Sequence, residues 1–584
     1  MKQFVNYTLA TLVGLFLFFF VGIFLLFGII GSIAAVGSQQ TTTLEPNSVY
    51  VIELEGILEE RSQEDEVFNM AISKAMGSSE MTVLGLDDLL KNIQRASTET
   101  SIKGIYLKGG NLSASYASLS ELRNALLRFK DSGKWIVAYA DTYTQSNYYL
   151  ASVADKIMLN KEGMLSWGGL YSETMFYKNL LDKIGVKMQV IKVGTFKSAV
   201  EPFIATEMSE PNRMQVTKMI TDIWTEIISQ VAESRQISAA KLQNYADENM
   251  LYSPTQNYVT SGLIDTLVYE QEVNEVLKTL LNTKEVKTVS NKEMKVLPDL
   301  MLEARNPKIA ILYAVGDITD DAGDGIVGKE MLKTIEKVKS DSTIKGVVLR
   351  VNSPGGSAFA SEQIWYALTQ LKKDKPLVVS MGDYAASGGY YIACMADAIV
   401  AQPTTLTGSI GIFGMVPDLS GMMEKIGLNY DGVGTNKRSN METSMIMGMN
   451  AETHELIQAH VNRGYELFVK RCADGRDLTV QDIKNIAEGR VWTGIAAMQN
   501  GLVDTLGGIQ DAINMAADMA ELEKYRVVEF PKKKDALTIL MEELSPSLND
   551  ASQNNLHHMW RRFNEIKHRP YSLEAIMPME INIR

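Results

Sequence analysis

The chain is similar to itself at an offset of about 240 positions, and this internal repeat restricts the possible folds more than any other feature. Ile102-Lys103-Gly104 returns as Ile344-Lys345-Gly346, and with small shifts in loop length residues 262–267 return as 501–506. Other matching positions are Asp141 with Asp383, Tyr148-Tyr149 with Tyr390-Tyr391, Ala154-Asp155 with Ala396-Asp397, Lys183-Ile184-Gly185 with Lys425-Ile426-Gly427, and 49–56 with 309–316. We therefore predict a tandem duplication of one domain.

Each copy has the pattern of an α/β domain. In the second copy, residues 309–315, 346–351 and 377–380 are short apolar runs that predict buried strands, and residues 360–373 predict a helix between two of them. This βαβ alternation favours parallel strands with functional loops at their carboxyl ends. The last part of each copy, residues 211–282 and 452–522, is predicted to be mainly helical.

The remaining segments complete the predicted domain organisation. Residues 1–44 predict an N-terminal membrane anchor, because residues 4–44 carry no charge and the apolar run is too long for an ordinary signal peptide, although the small residues at 32–35 leave cleavage as an alternative. Only Lys2 precedes this run, which predicts a cytoplasmic N-terminus and a body outside the cytoplasm. We assign residues 45–282 and 308–530 to the two repeats and 283–307 to a polar linker. Residues 531–584 form a charged tail to which we assign no chemistry.

Composition excludes several classes of function. A formal charge of −13 without a basic cluster in the repeats disfavours nucleic acid as a partner. His454 and His460 have the wrong spacing for a zinc helix, and none of the five histidines lies near a glycine-rich loop. Cys394 and Cys472 show no metal-ligand spacing, and we expect free buried thiols, although an exported protein could form a disulfide. No metal or cofactor is predicted.

Three loops of the second copy have small residues that the first copy lacks. The segment 352–357 contains Gly355-Gly356, the segment 387–389 is Ser-Gly-Gly, and Ser409 lies opposite Trp167 of the first copy. Backbone N–H groups of paired glycines can stabilise a developing oxyanion, so we predict an oxyanion hole at Gly355 and Gly356, with a plain Pro-Gly turn as the alternative. The differences place the candidate site in the second copy.

Ser409 is the predicted nucleophile, because the glycines around it leave its hydroxyl accessible, although Gly-Ser-Ile-Gly also suits an ordinary turn. With no suitable histidine, lysine is the common alternative base. Lys197 has apolar neighbours that could desolvate it, whereas its repeat copy, Lys437, has polar and charged ones. A lone lysine is normally a solvated surface group, so the residues alone leave Lys197 a candidate.

Together these segments resemble the signal peptide peptidase A family, also called protease IV, in its long membrane-anchored bacterial form. The resemblance covers nearly the whole chain, and its motifs are 194–202 (Gly-Thr-Phe-Lys-Ser-Ala-Val-Glu-Pro), 353–356 (Ser-Pro-Gly-Gly), 385–390 (Ala-Ala-Ser-Gly-Gly-Tyr) and 406–411 (Leu-Thr-Gly-Ser-Ile-Gly). It implies a fold like that of crotonases and Clp protease subunits, with Ser409 as nucleophile and Lys197 as general base.

The resemblance also implies a cellular location, an oligomeric state and a class of substrate. It predicts a single-pass protein of the bacterial inner membrane with a periplasmic body, a homo-oligomer such as a tetramer, and cleaved signal peptides or other apolar peptides as substrates.

Several alternatives stay open at this point. Lys437 could replace Lys197 as the base, and Ser387 could be the nucleophile by analogy with Clp subunits. A crotonase-like acyl-CoA enzyme would share the fold, but export away from the CoA pool counts against it. A catalytically inactive membrane scaffold would have no need to retain both the serine and the lysine.

Overall fold

A computed structural model describes residues 14, 16, 20, 44–62, 82–295, 297, 306–323, 325–533 and 574–576. In the first half the strands are β1 (Ser48–Glu59), β2 (Val83–Gly85), β3 (Ile102–Ser113), β4 (Trp135–Tyr143), β5 (Lys156–Leu165), β6 (Lys187–Lys192), β7 (Thr266–Leu267) and β8 (Lys287–Val289). The helices of this half are α1 (Leu86–Thr98), α2 (Tyr116–Lys130), α3 (Gln145–Ala151), α4 (Lys178–Ile184), α5 (Glu201–Ile204), α6 (Glu210–Arg235), α7 (Ala239–Glu248), α8 (Thr255–Thr260), α9 (Glu270–Leu281) and α10 (Asn291–Lys295).

The second half repeats this pattern. Its strands are β9 (Lys308–Val315), β10 (Ile318–Thr319), β11 (Ile326–Val327), β12 (Ile344–Ser353), β13 (Gly355–Ser357), β14 (Leu377–Ala386), β15 (Ala398–Ala401), β16 (Leu406–Gly408), β17 (Phe413–Asp418), β18 (Val491–Thr493), β19 (Thr505–Leu506), β20 (Arg526–Phe530) and β21 (Glu574–Ile576). Its helices are α11 (Gly328–Ser340), α12 (Ala358–Lys372), α13 (Gly388–Tyr391), α14 (Ser420–Lys425), α15 (Met441–Ile446), α16 (Ala451–Arg476), α17 (Val480–Ile486), α18 (Gly494–Gln499) and α19 (Ile509–Met519).

Each half contains one mainly parallel sheet with its own core. The strand order is β2-β1-β3-β4-β5-β7 in the first half and β18-β16-β14-β12-β9-β20 in the second. The central strand β12 is buried along both faces, which explains its near-continuous apolar sequence. Helix α12 begins at a Ser357 cap, whose side chain accepts the Ala360 N–H. The predicted duplication of an α/β domain is therefore confirmed.

The predicted strands and helix of the second half are confirmed as β9, β12, β14 and α12, with ends that differ by a few residues. The segment 287–295, which we had placed in the linker, forms β8 and α10, and β8 pairs in parallel with β1. Strand β21 lies within the predicted charged tail. This strand pairs with β13 and β17 of the second half.

A third sheet joins the two halves. Its order is β11-β10-β13-β21-β17-β6, so β6 of the first half lies beside β17 of the second. These two strands are antiparallel over six residue pairs, from Lys187 opposite Asp418 to Lys192 opposite Phe413. This pairing brings the chain that follows β6 to the second half.

None of the helices in the described ranges is long and apolar enough to cross a membrane. The predicted anchor lies almost wholly outside those ranges. Cys394 and Cys472 are both buried and free, as expected, with no disulfide between them.

Candidate active site

Three neighbouring strands end at the candidate site. Strands β12, β14 and β16 are parallel, and Ser353 lies opposite Ala385 while Ala386 lies opposite Gly408. The residues that follow these strand ends are therefore neighbours, since parallel strands present their carboxyl ends at one edge. Gly355 follows β12, Ser387 follows β14 and Ser409 follows β16. Ser387 is the central residue of the three.

Lys197 reaches this edge from the first half. Its segment is held by the Phe196 N–H, which donates to the Glu488 carbonyl at 2.9 Å in the loop before β18. Gln215 on α6 ties the same region together, because its amide group donates to the Phe196 carbonyl at 3.1 Å and accepts the Val491 N–H at 3.3 Å. The lysine side chain is fully buried.

The amino group of Lys197 contacts both candidate serines. Its Nζ lies 2.8 Å from Ser387 Oγ and 3.0 Å from Ser409 Oγ. A third contact, of 3.1 Å, joins Nζ to the Ser409 carbonyl oxygen. The structure thus brings together the two serines and the lysine that the sequence left as alternatives.

Burial sets the charge state of this lysine. Desolvation lowers the pKa of Lys197 well below its usual value, because the interior cannot solvate an ammonium ion. Glu201, the acidic neighbour in sequence, uses its carboxylate to accept the Ser209 N–H at 3.2 Å and the Asn212 amide at 2.9 Å. Lys197 is therefore prepared to act as a neutral amine.

Ser387 has the backbone of a strained strand-to-helix turn. Its φ of 55° and ψ of −112° lie outside the allowed regions of a residue with a side chain. The turn joins β14 directly to α13, and Gly389 packs so closely that a Cβ there would lie 2.6 Å from the Ser353 carbonyl oxygen. A serine on such a turn is typical of a nucleophile, since strain of this kind costs about 1–3 kcal/mol and accumulates at active sites.

Ser409 also has a positive φ, of 49°, but its contacts differ from those of Ser387. Its N–H donates to the Arg490 carbonyl at 2.7 Å, and two of its oxygens face Lys197. The Ser409 carbonyl can only accept, so one of the two N–H bonds of a neutral lysine amine points at it. If the second N–H points at Ser409 Oγ, the nitrogen lone pair is left for the Ser387 hydroxyl.

The two glycines predicted as an oxyanion hole lie beside Ser387. Gly355 and Gly356 have φ values of 110° and 151°, and together with Ser357 they form β13. A side chain at Gly356 would overlap the Ile318 carbonyl oxygen, so the close passage of β10 requires glycine there. The Gly355 N–H donates to Ser353 Oγ at 3.2 Å.

The alternative base Lys437 lies away from this edge. Its side chain is 79% exposed, and its Nζ pairs with a Glu452 carboxylate oxygen at 3.0 Å. The described contacts of Lys437 are with Glu452, whereas Lys197 contacts both serines, so the geometry favours Lys197 over Lys437 as the base. In the first half, Trp167 occupies the position equivalent to Ser409 and is fully buried in the core.

Two residues that contact Lys197 or its segment were not predicted from the sequence. Gly489, with φ 78°, lies against the lysine stem, and Gln215 connects the two halves. The glycine could have been noticed as one of few in the segment before β18. Gln215 lies on a long polar helix and carries no sequence signal.

A profile of peptidase family S49 matches two parts of the chain, residues 128–284 and 369–523, one in each repeat. Protease 4 of Haemophilus influenzae is 34% identical over 512 residues, covering 84% of this chain and 82% of the relative. Protease 4 of Salmonella typhi is 33% identical over 541 residues, covering 90% and 87%. Serine protease SPPA, chloroplastic, of Arabidopsis thaliana is 29% identical, covering 82% and 72%.

Among solved structures, a ClpP1 mutant from Listeria monocytogenes has 14% identity and a TM-score of 0.23, covering 35% of this chain and 94% of its own. So low a score does not define a shared fold. The assignment to the crotonase and Clp fold therefore stays a prediction.

Proposed function

The chain belongs to peptidase family S49 and is a serine protease, and we propose that Ser387 is its nucleophile and Lys197 its general base. The observation that carries this proposal is the 2.8 Å contact between a desolvated lysine amine and a serine on a strained strand-to-helix turn. The proposal differs from the sequence prediction, in which Ser409 was the nucleophile.

Two features favour Ser387 over Ser409. Ser387 follows β14, which lies between β12 and β16, so its hydroxyl is placed to reach a carbonyl whose oxygen faces the glycines that follow β12. Ser409 contacts the lysine through both its hydroxyl and its carbonyl, which suits a residue that orients the amine. We therefore assign Ser409 as a positioning residue.

The reaction follows from these positions. Lys197 Nζ takes the hydroxyl proton of Ser387 while Oγ bonds to the peptide carbonyl carbon, and the carbonyl electron pair moves onto its oxygen. The N–H groups of Gly355 and Gly356 are the donors for this oxyanion, with the Gly355 N–H turning from Ser353 Oγ to the substrate. When the C–N bond breaks, the lysine ammonium returns the proton to the leaving amine. Water then releases the acyl group by the same base, which restores both residues.

The cellular location, the substrates and the oligomeric state are also proposals. The uncharged N-terminal run supports a single-pass anchor in the bacterial inner membrane with a periplasmic body, and the family resemblance supports cleaved signal peptides as substrates. The same resemblance supports a homo-oligomer. An anchored peptidase suits apolar peptides, which partition into the membrane.

Active-site labelling tests the assignment. The full chain in detergent is treated with a fluorophosphonate, and the modified residue is mapped by mass spectrometry in the wild type, Ser387→Ala, Ser409→Ala and Lys197→Ala. We expect an adduct on Ser387, none in the Ser387→Ala and Lys197→Ala variants, and slower labelling of the same residue in Ser409→Ala. Loss of a positioning hydroxyl is expected to lower kcat by about 10–100-fold, less than loss of the base.

An adduct on Ser409 in the wild type would reverse the two roles and restore the original prediction. Labelling of Ser387 at the normal rate in Lys197→Ala would remove the lysine from the mechanism. Substrate class is tested separately by digesting synthetic signal peptides and soluble polar peptides of equal length. Equal kcat/KM for both sets would contradict an apolar preference.

A further inference from the structure

The loop before β18, residues 487–490, contacts the segment of the base and the segment of Ser409 at the same time. Its Arg490 carbonyl accepts the Ser409 N–H at 2.7 Å, and its Glu488 carbonyl accepts the Phe196 N–H at 2.9 Å. Phe196 immediately precedes Lys197. One short loop of the second half therefore joins the base, which comes from the first half, to one of the serines that the base contacts.

The Arg490 side chain adds a second contact to the same segment. Its guanidinium carbon lies 5.0 Å from the centre of the Phe196 ring and 4.1 Å from the centre of the Trp492 ring. A cation over an aromatic face is attracted by the charge distribution of the ring, and more strongly where water is excluded. All three side chains are half-buried. Desolvation lowers the pKa of Arg490, and no acidic group of the described ranges opposes this shift. The guanidinium is therefore held by the two rings.

The cation and the indole of this stack occur only in the half that carries the candidate site. Leu251 stands four positions before α8 of the first half, as Arg490 stands four positions before α18 of the second. In the same register, Ser253 is the counterpart of Trp492. The common α/β fold therefore forms without the stack, which suggests that the stack serves the site.

We propose that Arg490 is a positioning residue, whose guanidinium holds the Phe196 ring and thereby keeps the Lys197 amine at the two serines; this proposal rests on the proposed function. A lysine amine stands on a flexible four-carbon stem, so it stays in place only where the backbone below it is fixed. Without the stack, the segment moves and water reaches the amine. A better-solvated amine binds its proton more tightly, so a smaller fraction of the base is neutral at a given pH.

In the described part of the chain, the other charged groups of this region do not contact the Lys197 amine. Lys192 Nζ donates to the Lys197 carbonyl at 3.4 Å, and the Glu488 carboxylate accepts the Thr195 N–H at 3.3 Å. The Glu201 carboxylate accepts hydrogen bonds at the start of α6. The positive charge of Arg490 is a further influence on the base, so the test has to separate this charge from the contact with the ring.

Two variants of the full chain remove the stack from its two sides. Arg490→Met keeps the backbone carbonyl that accepts the Ser409 N–H but loses the cation, whereas Phe196→Leu keeps the cation and loses the ring. On a fluorogenic peptide we expect each variant to lower kcat about 10-fold with little change in KM. The acidic limb of the profile of kcat/KM against pH should move to higher pH by about half a unit or more in both.

Conservative variants and a matched control accompany them. Arg490→Lys and Phe196→Tyr keep a cation and a ring, and they should retain most of the wild-type kcat and its pH profile. Arg61→Met is the matched control, because Arg61 of the first half lies 4.4 Å from the centre of the Tyr313 ring of the second. It also joins the two halves by an arginine–aromatic contact, but it does not touch the segment of the base. Its kinetics should equal those of the wild type.

Three results would overturn the proposal. The first is an unshifted pH profile in Arg490→Met, or a loss that appears only in KM. The second is a shift in Arg490→Met without one in Phe196→Leu, which would mean that the charge of the arginine acts directly on the base. The third is an equal loss in Arg61→Met, which would mean that any loosening between the two halves has the same effect.

The two proposals fail in different ways. The rate of fluorophosphonate labelling, measured against pH, reports the titration of the base whichever serine carries the adduct. An adduct on Ser409 would contradict the assignment of the nucleophile, and a shifted labelling profile in Arg490→Met would still support the role of Arg490. An adduct on Ser387 with an unshifted profile in that variant would overturn the role of Arg490 alone.

Discussion

Lys197 is a residue at which stability and chemistry oppose each other. Its side chain is fully buried, and its three described contacts are to uncharged oxygens of Ser387 and Ser409. Burying an ionisable group without an ionic partner lowers the stability of the fold, and here it lowers the pKa of the lysine. The same loss of solvation favours the neutral amine, which is the form that can accept a proton.

This opposition predicts that Lys197→Met abolishes peptidase activity but raises the free energy of unfolding by about 0.5–2 kcal/mol at pH 7. The unfolded lysine binds its proton below a pKa of about 10.4, whereas the folded one binds it only at lower pH. The loss of stability caused by burying Lys197 therefore grows as pH falls through the pKa of the unfolded lysine. The stability advantage of Lys197→Met over the wild type should shrink when pH is raised toward 10. Denaturant unfolding at pH 7 and pH 10 measures both quantities.

Lys437→Met is the matched control, because that lysine is exposed and paired with Glu452. Its free energy of unfolding should change little between the two pH values. If Lys197→Met were less stable than the wild type at both pH values, the idea that Lys197 is held as a strained neutral amine would be wrong.

At the scale of elements, the loop before β18 fixes the position of the base. Gly489 has φ 78°, and a Cβ there would lie 2.7 Å from Lys197 Cβ and 2.8 Å from its Cα. These are backbone-near atoms of the lysine, so the side chain could not avoid the added methyl group by a simple rotation. The loop therefore restricts the conformations of the Lys197 side chain and directs its Nζ toward the two serines.

We expect Gly489→Ala to lower kcat/KM by about 100-fold, because a displacement of the base by about 1 Å has effects of that size. Steady-state kinetics on a peptide substrate measure the change, and fluorophosphonate labelling of Ser387 should slow in parallel. Gly427→Ala is the matched control, since Gly427 has a similar φ of 76° and no atom within 4 Å of an added Cβ. Both variants carry the strain of a positive φ, but only the first touches the base, so equal kinetic losses would contradict the prediction.

At the scale of the whole molecule, a buried ionic cluster joins the two halves. Arg350 of β12 contacts Glu60 at 2.8 Å and Glu121 at 2.8 Å, and both carboxylates belong to the first half. Asn352 also donates to Glu60 at 3.0 Å. Burial raises the pKa of Glu60, and the Arg350 guanidinium opposes that rise. Arg350 lies on β12, the strand that leads to Gly355. The cluster therefore holds the candidate site of the second half in a fixed position relative to the first half, which contributes Lys197.

Arg350→Met should therefore lower the free energy of unfolding by about 3–5 kcal/mol, because it leaves two buried carboxylates without their cation. Denaturant unfolding of the variant measures the loss. Adding Glu60→Gln and Glu121→Gln to the same variant removes the uncompensated charges, and we expect it to recover about half of the loss. Failure of the triple variant to recover any stability would show that the arginine acts through packing rather than through charge.

The sequence by itself determined the duplication and the α/β pattern, and it made the loops of the second half and Lys197 candidates for the site. These follow from local periodicity and from differences between two copies of one pattern, such as Ser409 against Trp167, so no long-range contact was needed to find them. The strands β9, β12 and β14 were predicted because buried parallel strands have nearly continuous apolar sequences.

Only the tertiary structure shows that Lys197 contacts both Ser387 and Ser409, that Lys437 is solvated, and that β21 pairs with β13 and β17. Ser387 and Ser409 both have small neighbours in sequence. They differ in the turn that follows each residue and in the strand that precedes it, and no local sequence pattern encodes the order of those strands in the sheet. The place of β21 depends on its pairing with β13 and β17, which lie more than 150 positions before it in the chain. Local composition predicts elements, whereas the order in which distant elements meet is set by packing across the whole chain.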